Sequence, residues 1–441
     1  MGRHKKDIEP IVMELVLTND LAKKKALAKK IFNLAYKEGI YPCSIHQFYM
    51  ERGRGQIRGF TVPAINLRSL TYDLARAIFR VAKYNNSGSF IFEIAKSEIG
   101  YTDQAPIEYS SVVLAAAIKE GFKGAVFIQG DHFQVNVKKF QENPEAEIEG
   151  LKALIQEAIE AGFYNIDIDS STLVDLSKSQ IKQQQYLNYD VCARLTQFIR
   201  QIQPKGIEIS VGGEIGEVGG KNSTPEELRA FMQGFNEQLP KGRVGLSKIS
   251  VQTGTSHGGI VLPDGRIAQV KLDFDTLKVL SQIARQEFGL AGCVQHGAST
   301  LPAEAFHKFP ETETAEIHLA TEFQNMIYDS KYFPVELRVK MYNWLKINAI
   351  SERKEGETEE QFIYKTRKKA LGPFKKEIMG LPQETRQAIA EEIEEKFDFL
   401  FKQLNAVNNK ELVDKYISLK RVILRKRKEP KGITYDTEGA D

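Results

Sequence analysis

The segment GAVFIQGD, residues 124–131, is a short apolar run that ends in an aspartate and is followed by His132. Runs of this length, rich in β-branched and aromatic side chains, are typical of strands that are buried on both faces. Seven further runs have the same texture: FTVPAIN (60–66), SFIFEIA (89–95), YNIDID (164–169), IEISVGGE (207–214), LSKISVQTG (246–254), LAGCVQH (290–296) and TAEIHL (314–319). Amphipathic helical patterns, such as LTYDLARAIFRVAKY (70–84), separate the runs.

Eight strands that alternate with helices favour a parallel sheet, and eight is the number that closes into a (β/α)8, or TIM, barrel. An open doubly wound sheet is the alternative, but no G-x-G-x-x-G motif follows the first strand. We therefore predict an α/β protein in three parts. A helical extension covers residues 1–56, a catalytic (β/α)8 barrel covers residues 57–340, and a second helical extension covers residues 341–441.

Both extensions are rich in charged residues and carry helical patterns. The first has a lysine-rich helical stretch that ends at Gly39. The second has an apolar stripe at helical spacing, formed by Ile389, Ile393, Phe397, Leu400 and Leu404. We expect the helix that carries this stripe to cover the barrel or another subunit, with a partner-binding helix as the alternative.

Composition excludes several classes of protein. The 441 residues include 61 Lys+Arg and 58 Asp+Glu, so the formal net charge is +3, which gives no reason to expect nucleic acid or a membrane as partner. The three cysteines are widely spaced and predict no disulfide framework. No run reaches the ~20 apolar residues of a membrane span, and the N-terminus lacks a signal peptide's apolar core. We expect a cytoplasmic enzyme or binding protein.

The placement of the seven histidines is the most informative feature of the sequence. His132, His257 and His296 lie at or just past the ends of predicted strands, and His318 lies inside the last strand. Because the carboxyl ends of barrel strands converge on one mouth, these imidazoles are expected to meet there. Three neutral imidazoles from separate strands form a good zinc site with a fourth position open for substrate.

Asp131 directly precedes His132 and is the candidate catalytic residue. At a strand-to-loop transition both side chains can reach the mouth, where a carboxylate near bound substrate can serve general acid–base chemistry. The alternative is an aspartate that only caps the loop. His4, His46 and His307 are expected to be structural or surface residues.

Two glycine-rich stretches, SHGGIV (256–261) and HGAST (296–300), place glycine directly after a candidate metal ligand. Glycine allows close approach of the backbone, and successive N–H groups can cradle a phosphate. Phosphate also commonly binds after the last two strands of such barrels, which here means residues 297–300 and 319–322. Glycines are equally common in ordinary loops, so these two stretches indicate a phosphate site only together with the histidines.

Together these residues resemble the class II, zinc-dependent fructose-bisphosphate or tagatose-bisphosphate aldolase family. The resemblance runs from about residue 30 to about residue 321 in family order, through FTVPAIN, GDH, GFYNIDIDSS, GGEIGEVGG, GTSHGG, QHGAST and EIHLATE. It implies that His132, His257 and His296 bind the catalytic Zn2+, for which Co2+ or Mn2+ are substitutes. It also implies that Asp131 moves the proton of the C4 hydroxyl during cleavage.

Further site residues follow from the resemblance alone. Glu214 matches a glutamate near the metal, and Asn66 matches a substrate-contacting asparagine after the first strand. The phosphate site, whose carbonyls in this family also hold a monovalent cation, would be formed by Gly258, Gly297, Ser299 and Thr321.

The sequence departs from the family pattern at three places. The mobile glutamate that exchanges a proton on the enediolate carbon is absent, because Lys221 and Asn222 follow the paired glycines. A serine expected at the end of the second strand aligns with Ala95, and an asparagine expected in the eighth strand aligns with His318. Glu217 is a candidate replacement for the missing proton carrier, as is Glu226.

We expect a zinc-dependent aldolase-like lyase that cleaves or forms the C3–C4 bond of a ketose phosphate through a metal-stabilised enediolate. The first alternative is a C4 epimerase that breaks and re-forms the same bond without release of the fragments. The second alternative is a non-catalytic barrel subunit. The expected partners are a sugar or sugar phosphate and further copies of the chain in a homo-oligomer, and the expected setting is carbohydrate metabolism of the glycolytic type.

Overall fold

The computed structural model describes residues 8–216, 221–254, 262, 272–422, 435 and 437. Its sheet has nine strands in the described ranges: β1 (Ile40–Cys43), β2 (Val62–Asn66), β3 (Ile91–Ala95), β4 (Gly124–Gln134), β5 (Asn165–Asp169), β6 (Ser210–Glu214), β7 (Lys248–Val251), β8 (Cys293–Gln295) and β9 (Glu316–Leu319). Strands β2 to β9 pair in parallel around a closed circle, which β4 and β5 complete. The predicted (β/α)8 barrel is confirmed.

The sequence prediction missed strand β1. It pairs in parallel with the start of β4, where Ile40 lies opposite Gly124 and Cys43 lies opposite Phe127. Its four residues, IYPC, include a proline and are too few to show a period, so no pattern could reveal it.

Helices lie between the barrel strands and in both extensions. They are α1 (Ile8–Leu17), α2 (Leu21–Lys37), α3 (His46–Gly53), α4 (Thr71–Tyr84), α5 (Lys96–Tyr101), α6 (Pro106–Glu120), α7 (Val137–Glu142), α8 (Pro144–Glu160), α9 (Ile181–Gln184), α10 (Tyr186–Ile202), α11 (Pro225–Gln238), α12 (Phe274–Phe288), α13 (Lys308–Glu311), α14 (Thr321–Asp329), α15 (Val335–Asn348), α16 (Glu359–Thr366), α17 (Lys375–Met379), α18 (Gln383–Gln403) and α19 (Lys410–Tyr416). In the described part of the chain, no helix is both long and apolar enough to cross a membrane.

Helix α3 closes the end of the barrel at which the strands begin. Arg52 is fully buried there and donates hydrogen bonds to the carbonyl oxygens of Ala291 (3.0 Å) and Thr314 (3.0 Å), which lie just before β8 and β9. From the same helix, the Tyr49 hydroxyl donates a hydrogen bond to the Glu316 carboxylate inside the barrel. The first extension therefore seals the bottom and leaves the other end as the mouth.

The predicted stripe of the second extension is buried. Helix α18 packs against α4, and all five stripe residues are fully buried. Phe397 contacts Phe323 with ring centroids 4.9 Å apart, and Arg80 of α4 forms an ion pair with Glu394 at 2.5 Å. The expectation that this helix covers the barrel is confirmed.

Candidate active site

A cleft lies at the carboxyl ends of the barrel strands and contains about 380 Å3 of empty space, including the open solvent at its entrance. Eight of the residues singled out from the sequence line it: Asn66, Asp131, His132, His296, Gly297, Ser299, His318 and Thr321. Glu214 lies beside His132, with its Oε2 atom 3.4 Å from Nδ1. His257, Gly258 and Glu217 lie outside the described residues.

A β-bulge in strand β4 brings both Asp131 and His132 to the cavity. The register between β4 and β5 shifts between Gly130 and Phe133, and His132 has a φ of 38°, in the left-handed region. Such a bulge adds one residue to the strand and re-aims its side chains, so two consecutive residues can face the same side. Backbone strain of this kind clusters at functional sites.

His132 and His296 converge at the mouth, with their ring centroids 4.1 Å apart. Nδ1 of His132 lies 3.1 Å from Asp169 Oδ2, and Nδ1 of His296 lies 2.7 Å from the Ser250 hydroxyl. Metal-binding histidines typically engage one ring nitrogen in this way, which fixes the ring and the tautomer. The Nε2 atom of His296 in turn lies 3.3 Å from Asp131 Oδ1.

These side chains fit a divalent metal ion. Asp131, His132 and His296 are buried and each offers a ligand atom, and these atoms lie within 4.8 Å of one another. Nitrogen and carboxylate oxygen are ligands that zinc prefers. The predicted third imidazole, His257, belongs to the undescribed part.

His318 lies deeper in the barrel, below the mouth, and its ring touches that of His296 at a centroid distance of 4.1 Å. Its Nδ1 atom lies 3.1 Å from both Asp131 Oδ1 and Glu93 Oε2. Its Nε2 atom lies 2.7 Å from Glu316 Oε1. His318 therefore joins the mouth to a polar barrel interior.

Lys248 forms the centre of that interior and is 1% exposed. Its Nζ atom lies 2.8 Å from Asp167 Oδ2, donates to Gln129 Oε1 (2.8 Å) and also contacts the Glu316 carboxylate. Gln129 in turn donates to Glu93 and Glu316 through its Nε2 atom, at 3.0 and 2.8 Å. Side chains from five different strands thus form one hydrogen-bonded cluster.

The pKa values of the described histidines in the site are shifted in opposite directions. Burial lowers the pKa of His132 and of His318, but the neighbouring carboxylates, with Asp131 acting on both, outweigh burial and hold each pKa well above its usual range. Burial and the two neighbouring imidazoles hold the pKa of His296 well below its usual range. Burial raises the pKa of Asp131, but the charges of His132 and His318 outweigh it and hold that pKa well below its ordinary value.

A second group of buried polar side chains, centred on Glu98, also lines the cavity. This carboxylate accepts hydrogen bonds from Asn66 Nδ2 (2.5 Å), Arg68 Nε (2.7 Å) and the Ala95 backbone N–H (2.6 Å). The guanidinium of Arg68 also donates to Gln324 at 3.2 Å. Asn66 is therefore held by the protein at the cavity wall, beside a buried arginine.

Besides His318, the other two departures from the family pattern also lie among the described residues. Asn222 donates to Asp273 Oδ2 at 3.0 Å, and Lys221, which is 58% exposed, forms a 3.3 Å ion pair with Glu227. Ala95, in place of the expected serine, is buried at the end of β3.

Sequence reasoning missed several ionisable residues that build the site, namely Arg68, Glu93, Glu98, Asp167, Asp169, Lys248 and Glu316. A signal for most of them was present, because charged residues stand inside runs that read as barrel strands: FEI, NIDID, SKIS and TAEIH. In a closed barrel one face of each strand points inward, and inward charges are rare unless they are paired. Arg68 and Glu98 had no such signal because they follow their strands.

Comparison with known proteins identifies the family of the chain. The family model described as "Fructose-bisphosphate aldolase class-II" matches residues 54–405. No protein of curated function matches the chain.

Among solved structures, a probable tagatose 6 phosphate kinase from Sinorhizobium meliloti 1021 has a TM-score of 0.55 at 14% identity, over 78% of this chain and 97% of that chain. A fructose-bisphosphate aldolase from Campylobacter jejuni has a TM-score of 0.49 at 16% identity, over 84% and 97%. A putative fructose-1,6-biphosphate aldolase from Coccidioides immitis has a TM-score of 0.45 at 20% identity, over 82% and 97%. The Sinorhizobium similarity concerns the fold alone.

Proposed function

Because the chain belongs to the class II fructose-bisphosphate aldolase family, we propose that it is a zinc-dependent lyase that cleaves or forms the C3–C4 bond of a ketose phosphate. The observation that carries this proposal is the convergence of Asp131, His132 and His296, whose ligand atoms lie within 4.8 Å of one another at the barrel mouth. A barrel that served only as a scaffold would have no need of this set of buried ionisable groups, which argues against a non-catalytic subunit.

The residues of the mouth have distinct parts in this reaction. His132 and His296, with His257 as the third ligand, hold the metal, which when bound supplies a Lewis acid for the negative charge of the ketose fragment. Asp169 and Ser250 orient the two described imidazoles through their Nδ1 atoms. Glu214, 3.4 Å from His132, adds negative charge beside the same ring.

Asp131 moves the proton of the C4 hydroxyl. Its carboxylate lies at the mouth, with Oδ1 3.3 Å from Nε2 of the metal ligand His296, so it is placed to exchange a proton with the hydroxyl of a bound substrate.

Substrate contacts come from the rim of the cavity. Asn66 is held by Glu98 at the cavity wall and would contact the sugar. Gly297, with a φ of 66°, begins the turn that carries Ser299, and Thr321 begins helix α14. Backbone N–H groups and hydroxyls at such a turn and helix start suit a phosphate. Gly258 and a monovalent cation would complete this site.

A C4 epimerase on the same site is the second candidate. The contacts at 221–222 favour it, because Lys221 pairs with Glu227 and Asn222 pairs with Asp273, and neither offers a carboxylate to the cavity. An epimerase re-forms the bond before the ketose fragment takes up a proton on carbon, so it has no need for such a group. In the lyase, Glu217 would have to supply that proton. For either activity we propose a cytoplasmic homo-oligomer in carbohydrate metabolism.

The experiment is solvent deuterium incorporation, followed by NMR, with a panel of hexuloses and their phosphates in heavy water. The lyase is expected to release a triose and to place deuterium on the carbon of the ketose fragment, and Glu217→Gln is expected to suppress that labelling. Interconversion of C4 epimers without label would overturn the lyase in favour of the epimerase. No conversion of any substrate by zinc-loaded protein would overturn both.

A further inference from the structure

Beneath the mouth, the imidazole of His318 lies among four carboxylates. Oxygens of Glu93 and Asp131 lie 3.1 Å from Nδ1, and oxygens of Glu316 and Asp167 lie 2.7 and 3.8 Å from Nε2. His318 is 4% exposed and Glu93 is fully buried. So many carboxylates in a buried space repel one another strongly unless cations lie between them.

Lys248 supplies the cation for only half of this group. Its Nζ atom contacts Asp167 at 2.8 Å and also Glu316, on the Nε2 side of His318. On the Nδ1 side, no lysine or arginine of the described residues lies within 4 Å of Glu93 or Asp131. The lower half of the cluster thus has a fixed lysine cation, whereas the upper half depends on either a proton on His318 or a bound cation for its positive charge.

The orientation of His318 suits a metal ligand on its upper side. If a metal ion replaces the proton on Nδ1, Nε2 can still donate its own proton to Glu316 at 2.7 Å while Nδ1 presents a lone pair between Glu93 and Asp131. Histidines that bind metals typically donate the other N–H to a carboxylate in this way. A lone pair that faces two carboxylate oxygens at 3.1 Å is repulsive without positive charge between them.

Two atoms of this group also lack other partners. Nδ1 of His318 and Oε1 of Glu93 are both buried, and neither makes a hydrogen bond to any described residue. Buried polar atoms are usually satisfied, and an exception calls for an explanation such as an ion. Glu93, Asp131 and His318 each offer a ligand atom, all within 4.8 Å of one another.

We propose that Glu93, Asp131 and His318 bind a second divalent cation, separate from the metal at His132 and His296. Asp131 belongs to both groups and bridges them, since its Oδ1 atom lies 3.3 Å from His296 Nε2 and 3.1 Å from His318 Nδ1. The mixed carboxylate and imidazole ligands suit Zn2+, Co2+ or Mn2+. The site also gives a reason for a histidine at position 318, where the family pattern has asparagine.

The proposal rests on the geometry of the barrel interior and holds whichever reaction the mouth catalyses. With one oxygen of Asp131 facing the second cation, its other oxygen remains for a proton. A proton on Nδ1 of His318 is the competing source of positive charge, and metal stoichiometry distinguishes the two.

The test is metal binding by the full-length chain, stripped with a chelator and titrated with Zn2+ or Co2+ alone. We expect two equivalents of Zn2+ by elemental analysis after gel filtration, and two end points in the visible spectrum with Co2+. Glu93→Gln and His318→Asn, two near-isosteric changes on different strands, are each expected to bind one equivalent. His132→Ala is expected to bind one, through the deeper site, and the exposed His307→Asn is the matched control that keeps two.

A second measurement does not depend on the variants. Because the sites share Asp131, Mn2+-loaded wild type is expected to show an exchange-coupled pair in its electron paramagnetic resonance spectrum, even if both variants fail to fold. One equivalent in the wild type, unchanged by Glu93→Gln, would overturn the second site while leaving the first intact. Two equivalents without coupling would overturn it as well, and no binding at all would contradict both the second site and the proposed zinc site.

Discussion

The two faces of the barrel strands have opposite chemistry, and strand β3 shows it most clearly. Phe92 points outward and packs against Phe79 of helix α4, with ring centroids 5.0 Å apart. The next residue, Glu93, points inward to Gln129 and His318. Alternate residues of a strand face opposite sides, so one short run serves both a hydrophobic shell and a charged interior.

The outer shell is a continuous cluster of aromatic and aliphatic side chains. Phe79 lies within 6.0 Å, centroid to centroid, of Phe90, Phe92 and Phe122. Barrels of this kind usually fill the interior with branched aliphatic side chains as well. Here the interior holds Lys248 with its carboxylates instead, so the free energy of folding must come mainly from the outer shell, and the interior serves the site.

The outer shell is tested by Phe79→Ala. Loss of a fully buried phenylalanine is expected to lower the free energy of unfolding by about 3–5 kcal/mol, because a cavity remains where the ring packed. Zinc affinity of the folded protein is expected to stay unchanged. Denaturant unfolding and a zinc titration of the same sample measure the two quantities, and a large loss of zinc affinity would contradict the separation of the two faces.

Within the interior, Lys248→Met tests whether a buried charged group also contributes to folding. Removal of the ammonium leaves Asp167 and Glu316 buried without their cation, and we expect a loss of about 3–5 kcal/mol in the free energy of unfolding. Lys402→Met is the matched control, because its ion pair with Asp398 lies on the surface, where such pairs contribute little to stability. Equal stability of the two variants would show that the interior cluster is dispensable.

Asp169→Asn tests the interior as a support for the metal. Asp169 orients His132 from 3.1 Å, and loss of such a partner typically lowers metal affinity by about 10–100-fold. Isothermal titration of metal-free protein with Zn2+ measures the effect. Unchanged zinc affinity would show that Asp169 does not support metal binding by His132.

The smallest expected effect concerns His46, which is buried below the barrel. Burial, helped by Arg200 and Arg54, lowers its pKa to about 3. As the pH falls below about 6.5, His46 therefore takes up a proton in the unfolded chain but stays neutral in the folded chain. The free energy of unfolding is therefore unaffected by this group above pH 6.5 and decreases below it, by at most about 1.4 kcal/mol per pH unit.

His46→Gln is expected to remove that slope between pH 7 and 5, in denaturant unfolding at three pH values. The exposed His307→Gln is the control and is expected to leave the slope in place. An unchanged slope in His46→Gln would assign the pH dependence to other groups.

The sequence predicted features of the outer face of the barrel strands better than features of the inner face. The eight barrel strands and the buried stripe of α18 were predictable because apolar periodicity reflects the outer shell. The convergence of His132 and His296 was predictable from their positions at strand ends. Glu93 and Asp167 were missed because a charge inside a strand is informative only once the barrel is known to close. The bulge at His132 depends on local pairing with β5, which no spacing in the sequence records.

The proposed metal-dependent aldol chemistry at the barrel mouth is tested most directly by turnover of a ketose-phosphate panel before and after metal removal. We expect no triose release or epimer formation by the chelated protein, recovery on addition of Zn2+ or Co2+, and no recovery in His132→Ala. Full turnover by wild-type protein that elemental analysis shows to be free of metal would contradict it.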